Sequence, residues 1–242
     1  MKYLTFILFF SGGLYADVLG GEVSFGLFHH NAEGTTQYHS SHTIHIANTL
    51  QYTQNQNLFL QAYIEHPIPL LPNVKLAYAP LSHSHTADVS NFSWGDIHNY
   101  NGPIESSFTM HYTDATLYYE LLDNWVELDT GFTFRFLKGS MNVTTIKGKE
   151  RVSYAGGFPL LYAKARFLIP STELSFQLET NLVALSSITS YDYALSARYT
   201  LTLGLGLEAG YKQFSIKSDI LADGFQIDTS FSGLYAAVVW DF

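Results

Sequence analysis

The sequence predicts an all-β protein, a transmembrane antiparallel up-and-down β-barrel of about ten strands, with eight strands as the smaller alternative. Three observations predict this fold: apolar and polar residues alternate in many segments, the connections are alternately short and long, and the last strand ends on Phe242. The mean hydropathy is only +0.04, although 16% of the residues are aromatic and only 14% are charged. A barrel has this average because half of each strand is polar, whereas a helical membrane protein would be more hydrophobic.

The first 16 residues are typical of a secretory signal peptide. Lys2 supplies the positive charge, residues 4–10 form the apolar run, and residues 11–13 are small. The run is shorter than the 18 or so apolar residues of a transmembrane helix. We expect cleavage after Ala16, although Leu14 occupies a position that usually holds a small residue, and residues 17–242 then form one barrel domain. With no cysteine, the chain forms no disulfide and carries no lipid anchor on cysteine.

Nine segments precede the last strand. The alternation is weaker in residues 22–28, 58–65, 74–78 and 113–121, and clearer in residues 126–136, 161–167, 174–183, 191–201 and 205–212. In residues 191–201, for example, tyrosines and leucines alternate with residues such as Asp192, Ser196 and Arg198. The tyrosines of this segment lie toward its ends, as expected for interfacial girdles of aromatic residues.

The last strand, residues 234–242, has one face suited to lipid. The outward set is Leu234, Ala236, Val238 and Trp240, and the inward set is Tyr235, Ala237, Val239 and Asp241. A terminal Phe with an aromatic residue two positions earlier resembles the insertion signal of Gram-negative outer-membrane barrels. This resemblance implies the barrel assembly machinery as a partner.

The connections predict an orientation. Short turns at residues 67–73, 122–124, 170–172 and 202–204 alternate with long polar stretches at residues 31–57, 82–107, 138–158, 186–190 and 217–226. Outer-membrane barrels have short periplasmic turns and long extracellular loops. A mixed order of lengths would instead favour a soluble β-sandwich. The sequence therefore predicts a periplasmic carboxyl terminus.

Residues 66–73 read His-Pro-Ile-Pro-Leu-Leu-Pro-Asn, and residues 17–23 read Asp-Val-Leu-Gly-Gly-Glu-Val. Together with residues 118–120, 191–193 and 210–212 and the terminal strand, they resemble a small family of Gram-negative outer-membrane β-barrel proteins. The resemblance implies the fold and a location in the outer membrane, and it implies no catalytic residues. On its own chemistry the proline-rich segment is a rigid turn, because proline cannot donate to a strand ladder.

The inward faces of the predicted strands carry charges of both signs. A charge inside a barrel needs a partner, so we expect Glu127 or Asp129 to pair with Lys164 or Arg166. Glu179 is expected to pair with Arg166 or Arg198. The whole predicted network comprises Glu127, Asp129, Arg135, Lys164, Arg166, Glu179, Arg198, Glu208 and Lys212. A narrow barrel filled by this network is favoured over a small polar pore.

All ten histidines except His66 lie in or beside the first two long polar stretches. Imidazole is a common transition-metal ligand, so His83 and His85, or His42 and His45, could begin a metal site with Asp88 or Asp96 nearby. No HExxH motif or other fixed ligand spacing is present. Ordinary polar loop residues are the favoured interpretation, and a proton-linked rearrangement of the loops is a further alternative.

A surface lipid hydrolase is the alternative from another functional class. Ser82, Ser84, His83, His85 and His111 supply the residue types, but no serine elbow motif is present. We therefore predict no enzyme and no cofactor. The net charge of −9 disfavours nucleic-acid binding. The sequence predicts a monomeric outer-membrane barrel in contact with outer-membrane lipid, with a structural or narrow porin-like role.

Overall fold

The computed structural model describes residues 20–39, 42–68 and 70–242. The predicted signal peptide, its cleavage site, residues 17–19 and Pro69 of the proline-rich turn lie outside the described residues. The strands are β1 (Gly20–Tyr38), β2 (Ile44–His45), β3 (Asn55–Glu65), β4 (Asn73–Trp94), β5 (Ile97–Asp123), β6 (Val126–Thr145), β7 (Gly148–Leu168), β8 (Leu174–Leu185), β9 (Ile188–Thr200), β10 (Leu205–Ser218) and β11 (Phe225–Asp241).

Ten of these strands form a closed antiparallel ring. Each strand pairs with its neighbours in chain order, the two-residue β2 pairs with β1 alone, and β11 pairs with β1 to close the ring. The closing ladder runs from Glu22 opposite Asp241 to Tyr38 opposite Phe225. Closure removes the unpaired strand edges that lipid could not hydrogen-bond. The predicted ten-strand, up-and-down barrel is confirmed.

Large apolar side chains form a belt around the outside of the ring. Phe132 is 64% exposed, Leu195 56% and Val238 51%. Residues 191–201 cover about 33 Å of extended chain, which at a tilt of about 40° rises about 25 Å, the height of the apolar band of a membrane barrel. The molecule is therefore a transmembrane β-barrel. No helix within the described ranges is long and apolar enough to cross a membrane.

The two ends of the barrel differ. The short turns, the start of β1 at Gly20 and the carboxyl terminus lie at one end, which we call the terminal end. The long hairpins β4–β5 and β6–β7 rise from the other end, which we call the hairpin end. Residues 82–107 and 138–158, predicted as loops, are mostly strand, so that prediction is wrong.

The polarity of the strand faces reverses above the belt, and this reversal hid the long strands. Along β4 the outward residues change from Leu76 to Ser84 and Thr86, while the inward residues change from Lys75 to Val89. A soluble barrel has this second pattern, with apolar residues inside and polar residues outside. The average hydropathy of such a segment is similar to that of a polar loop.

Above the belt the ring becomes two facing sheets, which we call the cap. β7 pairs with β8 only over Leu161–Leu168, and β3 pairs with β4 only from Leu60 opposite Tyr78 toward the terminal end. The upper parts of β4, β5, β6 and β7 therefore form one tall sheet. It faces a second sheet, formed by the upper parts of β9, β10, β11 and β1.

Stacked aromatic rings join the two sheets of the cap. The ring centroids are 5.6 Å apart for Phe108 and Phe231, 5.2 Å for Tyr112 and Phe214, and 5.1 Å for Tyr154 and Phe225. Such offset aromatic pairs add to the free energy gained by burying the rings. Four residues that lie outside the long strands are buried in the same core: Ile44, Ile46, Leu50 and Leu221.

Candidate functional site

The lumen and the cap are the candidate functional site. At the terminal end, an open cavity of about 460 Å³ is lined mainly by carboxylates. Its charged lining consists of Glu22, Glu65, Glu120, Asp123, Glu127, Asp129, Lys164, Arg166 and Asp241. The cavity is a shallow mouth, because buried layers of side chains lie above it.

Tyrosines and lysines form the first of these layers. Tyr63, Tyr118 and Tyr162 are buried together, and the Nζ atoms of Lys75 and Lys164 lie 4.9 and 5.0 Å from the centre of the Tyr63 ring. Cations over aromatic faces are attracted by the ring quadrupole, more strongly where water is excluded. Two cations and three rings therefore fill this level of the lumen.

Arg135 forms the centre of the next layer. Its Nε and Nη2 donate hydrogen bonds of 2.8 and 2.6 Å to the carboxylate of Asp114, and Nη2 lies 2.7 Å from Oδ2 of Asp192. The guanidinium also lies 4.5 Å from the centre of the Tyr112 ring. Arg135 is fully buried, so this fork geometry replaces hydration that the side chain has lost.

Arg198 joins three strands near the terminal end. It donates to Glu22 of β1 at 2.7 and 2.8 Å and to Glu208 of β10 at 2.8 and 2.9 Å. Arg166 lies 3.1 Å from the same Glu22. Glu22 thus links β7 and β9 to the strand that closes the ring.

Among the described residues, eight of the nine members of the predicted lumen network form ion pairs, Lys212 does not, and the partner predicted for Glu179 is wrong. Asp129 pairs with Lys164 at 2.6 Å and Glu127 with Arg166 at 3.2 Å, as expected for neighbouring strands. Glu179 does not pair with Arg166 or Arg198. Its partner is Lys75 of β4, across the lumen. The sequence shows which strands are neighbours, but not which side chains meet across the barrel.

Lys212 is buried without an ion pair within the residues that the structure describes. Its Nζ lies 4.8 Å from the centre of the Phe59 ring. The adjacent void, lined by Lys75, Arg135 and Lys212 among others, measures only about 20 Å³. A void of that size is close to the minimum for one water molecule, so the side chains that the structure describes fill the lumen at this level.

The apolar core of the cap closes the hairpin end, and a histidine pair lies within it. His83 Nε2 lies 3.1 Å from His30 Nδ1, His83 Nδ1 lies 3.0 Å from the Thr53 carbonyl oxygen, and His30 Nε2 lies 2.9 Å from Asn57 Oδ1. Both contacts with oxygen need an N–H donor, so the two facing nitrogens lack a proton when both rings are neutral. The pKa of His83 is lowered to about 4. Burial, which opposes the extra proton, is the main cause, and the neighbouring His30 is the second cause. Burial is also the main cause of the lowered pKa of His30.

The structure does not assemble the metal site considered from the sequence. His83 is in the cap core beside His30, whereas His42 and His45 are exposed and His85 is half-buried. Among the described residues, no three His, Asp or Glu side chains form a group that could hold a metal ion. The pairing of His30 with His83 was not predicted, because it joins β1 to β4, which are not neighbours in the ring.

The residues considered for a lipid hydrolase are also separated. Alternation along β4 places Ser82 and Ser84 toward the outer face, and His83 and His85 toward the inner face. Ser82 Oγ accepts from Asn57 at 3.1 Å, and His111 Nδ1 lies 3.0 Å from the hydroxyl of Tyr78. Neither of these two hydrogen bonds joins a serine hydroxyl to an imidazole.

Comparison with known proteins gives similar structures but no family. Ail of Yersinia pestis, in complex with the heparin analogue sucrose octasulfate, has a TM-score of 0.40 and 11% identity over 92% of this chain and 99% of that chain. A major outer membrane protein from Thermus thermophilus has a TM-score of 0.35 and 12% identity over 93% and 99%. The P. putida toluene transporter TodX has a TM-score of 0.33 and 9% identity over 92% and 89%. No family model and no curated protein matches the chain. At these scores we infer nothing about function from the likeness.

Proposed function

We propose that the protein is a monomeric integral barrel of the bacterial outer membrane, that its lumen does not conduct, and that it acts through the cap. The observation that carries this proposal is the combination of an apolar belt outside with filled layers inside. Ion-paired layers occupy the lumen at the level of the belt, and an aromatic core occupies the cap. A porin needs a continuous polar passage, whereas a structural or surface-presenting barrel does not.

The proposed orientation places the cap outside the cell. Short turns and both chain ends are typical of the periplasmic end of such barrels, and long hairpins are typical of the outer end. Residues 1–16 would direct export and be removed near Ala16. The proposal includes no catalytic activity and no cofactor.

The first test is the migration of unboiled and boiled protein on a denaturing gel, after extraction from the outer-membrane fraction. A closed barrel migrates faster before boiling. Recovery in the soluble periplasmic fraction, or migration that does not change on boiling, would contradict the proposal of an outer-membrane barrel.

The second test is the conductance of the same preparation in a planar lipid bilayer. A steady baseline is expected, because the Arg135 layer and the cap core block the lumen. Reproducible single-channel steps would reject the closed lumen and restore the narrow-pore alternative. Amino-terminal sequencing of the extracted protein would test cleavage after Ala16.

A further inference from the structure

We propose that the outer wall of β5, β6 and β7 binds one phosphorylated glycolipid of the surrounding leaflet. Its acyl chains would lie against Phe134 and Phe136, and its phosphates would contact Lys138 and Arg151. This inference rests on the proposed location in the outer membrane.

An open groove of about 540 Å³ lies where the apolar belt meets the cap. Phe134 and Phe136 are exposed on its floor with ring centroids 4.8 Å apart, and Gly157 lies opposite Phe136 on β7. A Cβ atom at Gly157 would lie 3.2 Å from the Phe134 ring. The missing side chain therefore creates the depression beside the two rings, and the depression is apolar enough for a hydrocarbon chain.

The polar rim of this groove is formed by Lys138 on β6 and by His111, which lies opposite it on β5. Lys138 is exposed, and within the described ranges it forms no ion pair. A cation just above the belt of a membrane protein is at the depth of lipid phosphates. The chain as a whole has a net charge of −9, so an unpaired cation here is not explained by a generally basic surface.

Arg151 of β7 is a second outward cation on the same wall, opposite Asn142 of β6. It too is exposed and without an ion pair in the part of the chain that the structure describes. Asn142 is four residues from Lys138, which corresponds to about 13 Å along the strand. The opposite sheet differs, because its outward Lys217 is paired with Asp228 at 3.0 Å.

Small hydroxyl and amide side chains fill the wall between the two cations. Thr109 Oγ1 lies 3.2 Å from Ser140 Oγ, and Asn142 donates to Ser107 Oγ at 3.1 Å. A second open pocket of about 410 Å³ begins at this level. Hydroxyls and amides both donate and accept hydrogen bonds, as a sugar requires.

The order of these features along the wall indicates which class of lipid would bind there. From the membrane outward it is an apolar groove, a cation, hydroxyls and amides, and a second cation. A glycerophospholipid with one phosphate would use only the groove and Lys138, whereas a phosphorylated sugar lipid would use all four. Glu105 is an acidic side chain on this wall, and it lies in the same row as Lys149. We therefore assign the second phosphate to Arg151 and not to Lys149.

The test is a titration of the purified, folded barrel in detergent with bisphosphorylated lipid A, followed by native mass spectrometry. The wild-type protein should bind one lipid A, and K138Q/R151Q should weaken its affinity about tenfold, since loss of charge-assisted contacts worth about one decade is ordinary. K217Q, which removes a cation from the opposite sheet, is the matched control and should bind like the wild type. Dephosphorylated lipid A and phosphatidylglycerol are the comparison ligands and should bind more weakly.

Two outcomes would overturn the inference. Equal affinity of K138Q/R151Q and K217Q for lipid A would remove the phosphate site, and equal affinity of the wild type for phosphatidylglycerol would remove the glycolipid assignment. Gly157→Leu, which fills the groove, provides a second variant and should also weaken lipid A binding. All variants are first checked for heat-modifiable migration. A folded protein from the outer-membrane fraction that fails the titration contradicts this inference alone, whereas a protein absent from that fraction contradicts the proposed function.

Discussion

At the scale of single residues, the lumen is held by charges whose partners are few and specific. Arg135 has two carboxylate partners and two aromatic neighbours, with Asp114, Asp192, Tyr112 and Phe214 contributed by β5, β9 and β10. Buried ion pairs of this kind add little net stability over an apolar core of equal volume, but they are costly to break. Removing one partner should therefore cost more stability than removing all the partners together.

Arg135→Met should destabilise the barrel by about 3–5 kcal/mol, because Asp114 and Asp192 would keep their charges without the guanidinium. The triple variant R135M/D114N/D192N should recover much of this loss. Urea unfolding in liposomes measures both. The exposed Arg151→Met is the control and should lie within about 0.5 kcal/mol of the wild type. A triple variant as unstable as the single one would contradict the account.

His83 should make the folded protein sensitive to acid. Its pKa is about 4 in the folded protein and about 6.5 in an unfolded chain. Between these values the unfolded chain binds a proton that the folded protein excludes, so stability should fall as the pH drops from 6.5 to 4 and then become constant. The full effect is about 3–4 kcal/mol at about 1.4 kcal/mol per pKa unit.

His83→Phe keeps a ring between Tyr52 and Phe231 and should remove this part of the pH dependence. The measurement is the free energy of unfolding at pH 7 and pH 4.5. His98→Ala, at an exposed position on β5, is the control and should behave like the wild type. Parallel pH profiles for H83F and the wild type would rule out His83 as the sensor.

At the scale of elements, each long strand serves two environments with opposite patterns. The lower part of β5 presents Leu117 to lipid and Asp114 to the lumen, while the upper part presents Glu105 to water and Phe108 to the cap core. Alternation with period two is unbroken from Ile104 to Tyr118, so β5 needs no bend or change of register to switch environments. The change of environment is therefore determined only by which residues occupy the outward and inward positions.

This division predicts how an outward arginine acts at two heights. Leu195→Arg, near the middle of the belt on β9, should cost about 2–4 kcal/mol. Thr86→Arg, outward on the cap part of β4, should change stability by about 0.5 kcal/mol or less. Urea unfolding of both variants in liposomes gives the comparison. Equal costs at the two positions would show that the belt does not mark the lipid-facing zone.

At the scale of the whole molecule, the first residues of β1 meet the carboxyl-terminal residue where the ring closes. The backbone N–H groups of Gly21 and Phe242 each donate to the other residue's carbonyl oxygen, at 2.9 and 2.8 Å. The Phe242 ring lies over Gly21, where a Cβ atom would come within 2.6 Å of it, and beside Trp240 at 5.0 Å. Closure thus places the terminal aromatic pair at the terminal end, where it is exposed.

If the last strand is also the signal read by the barrel assembly machinery, Phe242→Ala should act more strongly in cells than in purified lipid. Refolding into liposomes should continue, because the backbone ladder of β1 and β11 remains. The amount in the outer-membrane fraction should fall several-fold. Leu234→Ala, which removes an exposed side chain from the same strand, is the control. Equal losses in both assays would assign Phe242 a purely structural role.

The sequence alone determined the fold class and the inward or outward direction of most residues in the belt, because both depend only on local alternation and on the order of the connections. It predicted about ten strands with eight as the alternative, and the closed ring of the structure has ten. It also limited the partners of Glu127 and Asp129 to Lys164 and Arg166 of the neighbouring strand, and the structure pairs Asp129 with Lys164 and Glu127 with Arg166. Only the tertiary structure decided that Lys75 reaches Glu179 and that His30 meets His83, because distances across a closed ring depend on its curvature and on strand stagger. Only the tertiary structure also showed that the cap consists of strands. Its segments have the composition of polar loops, and their alternate residues are buried only because a second sheet lies opposite.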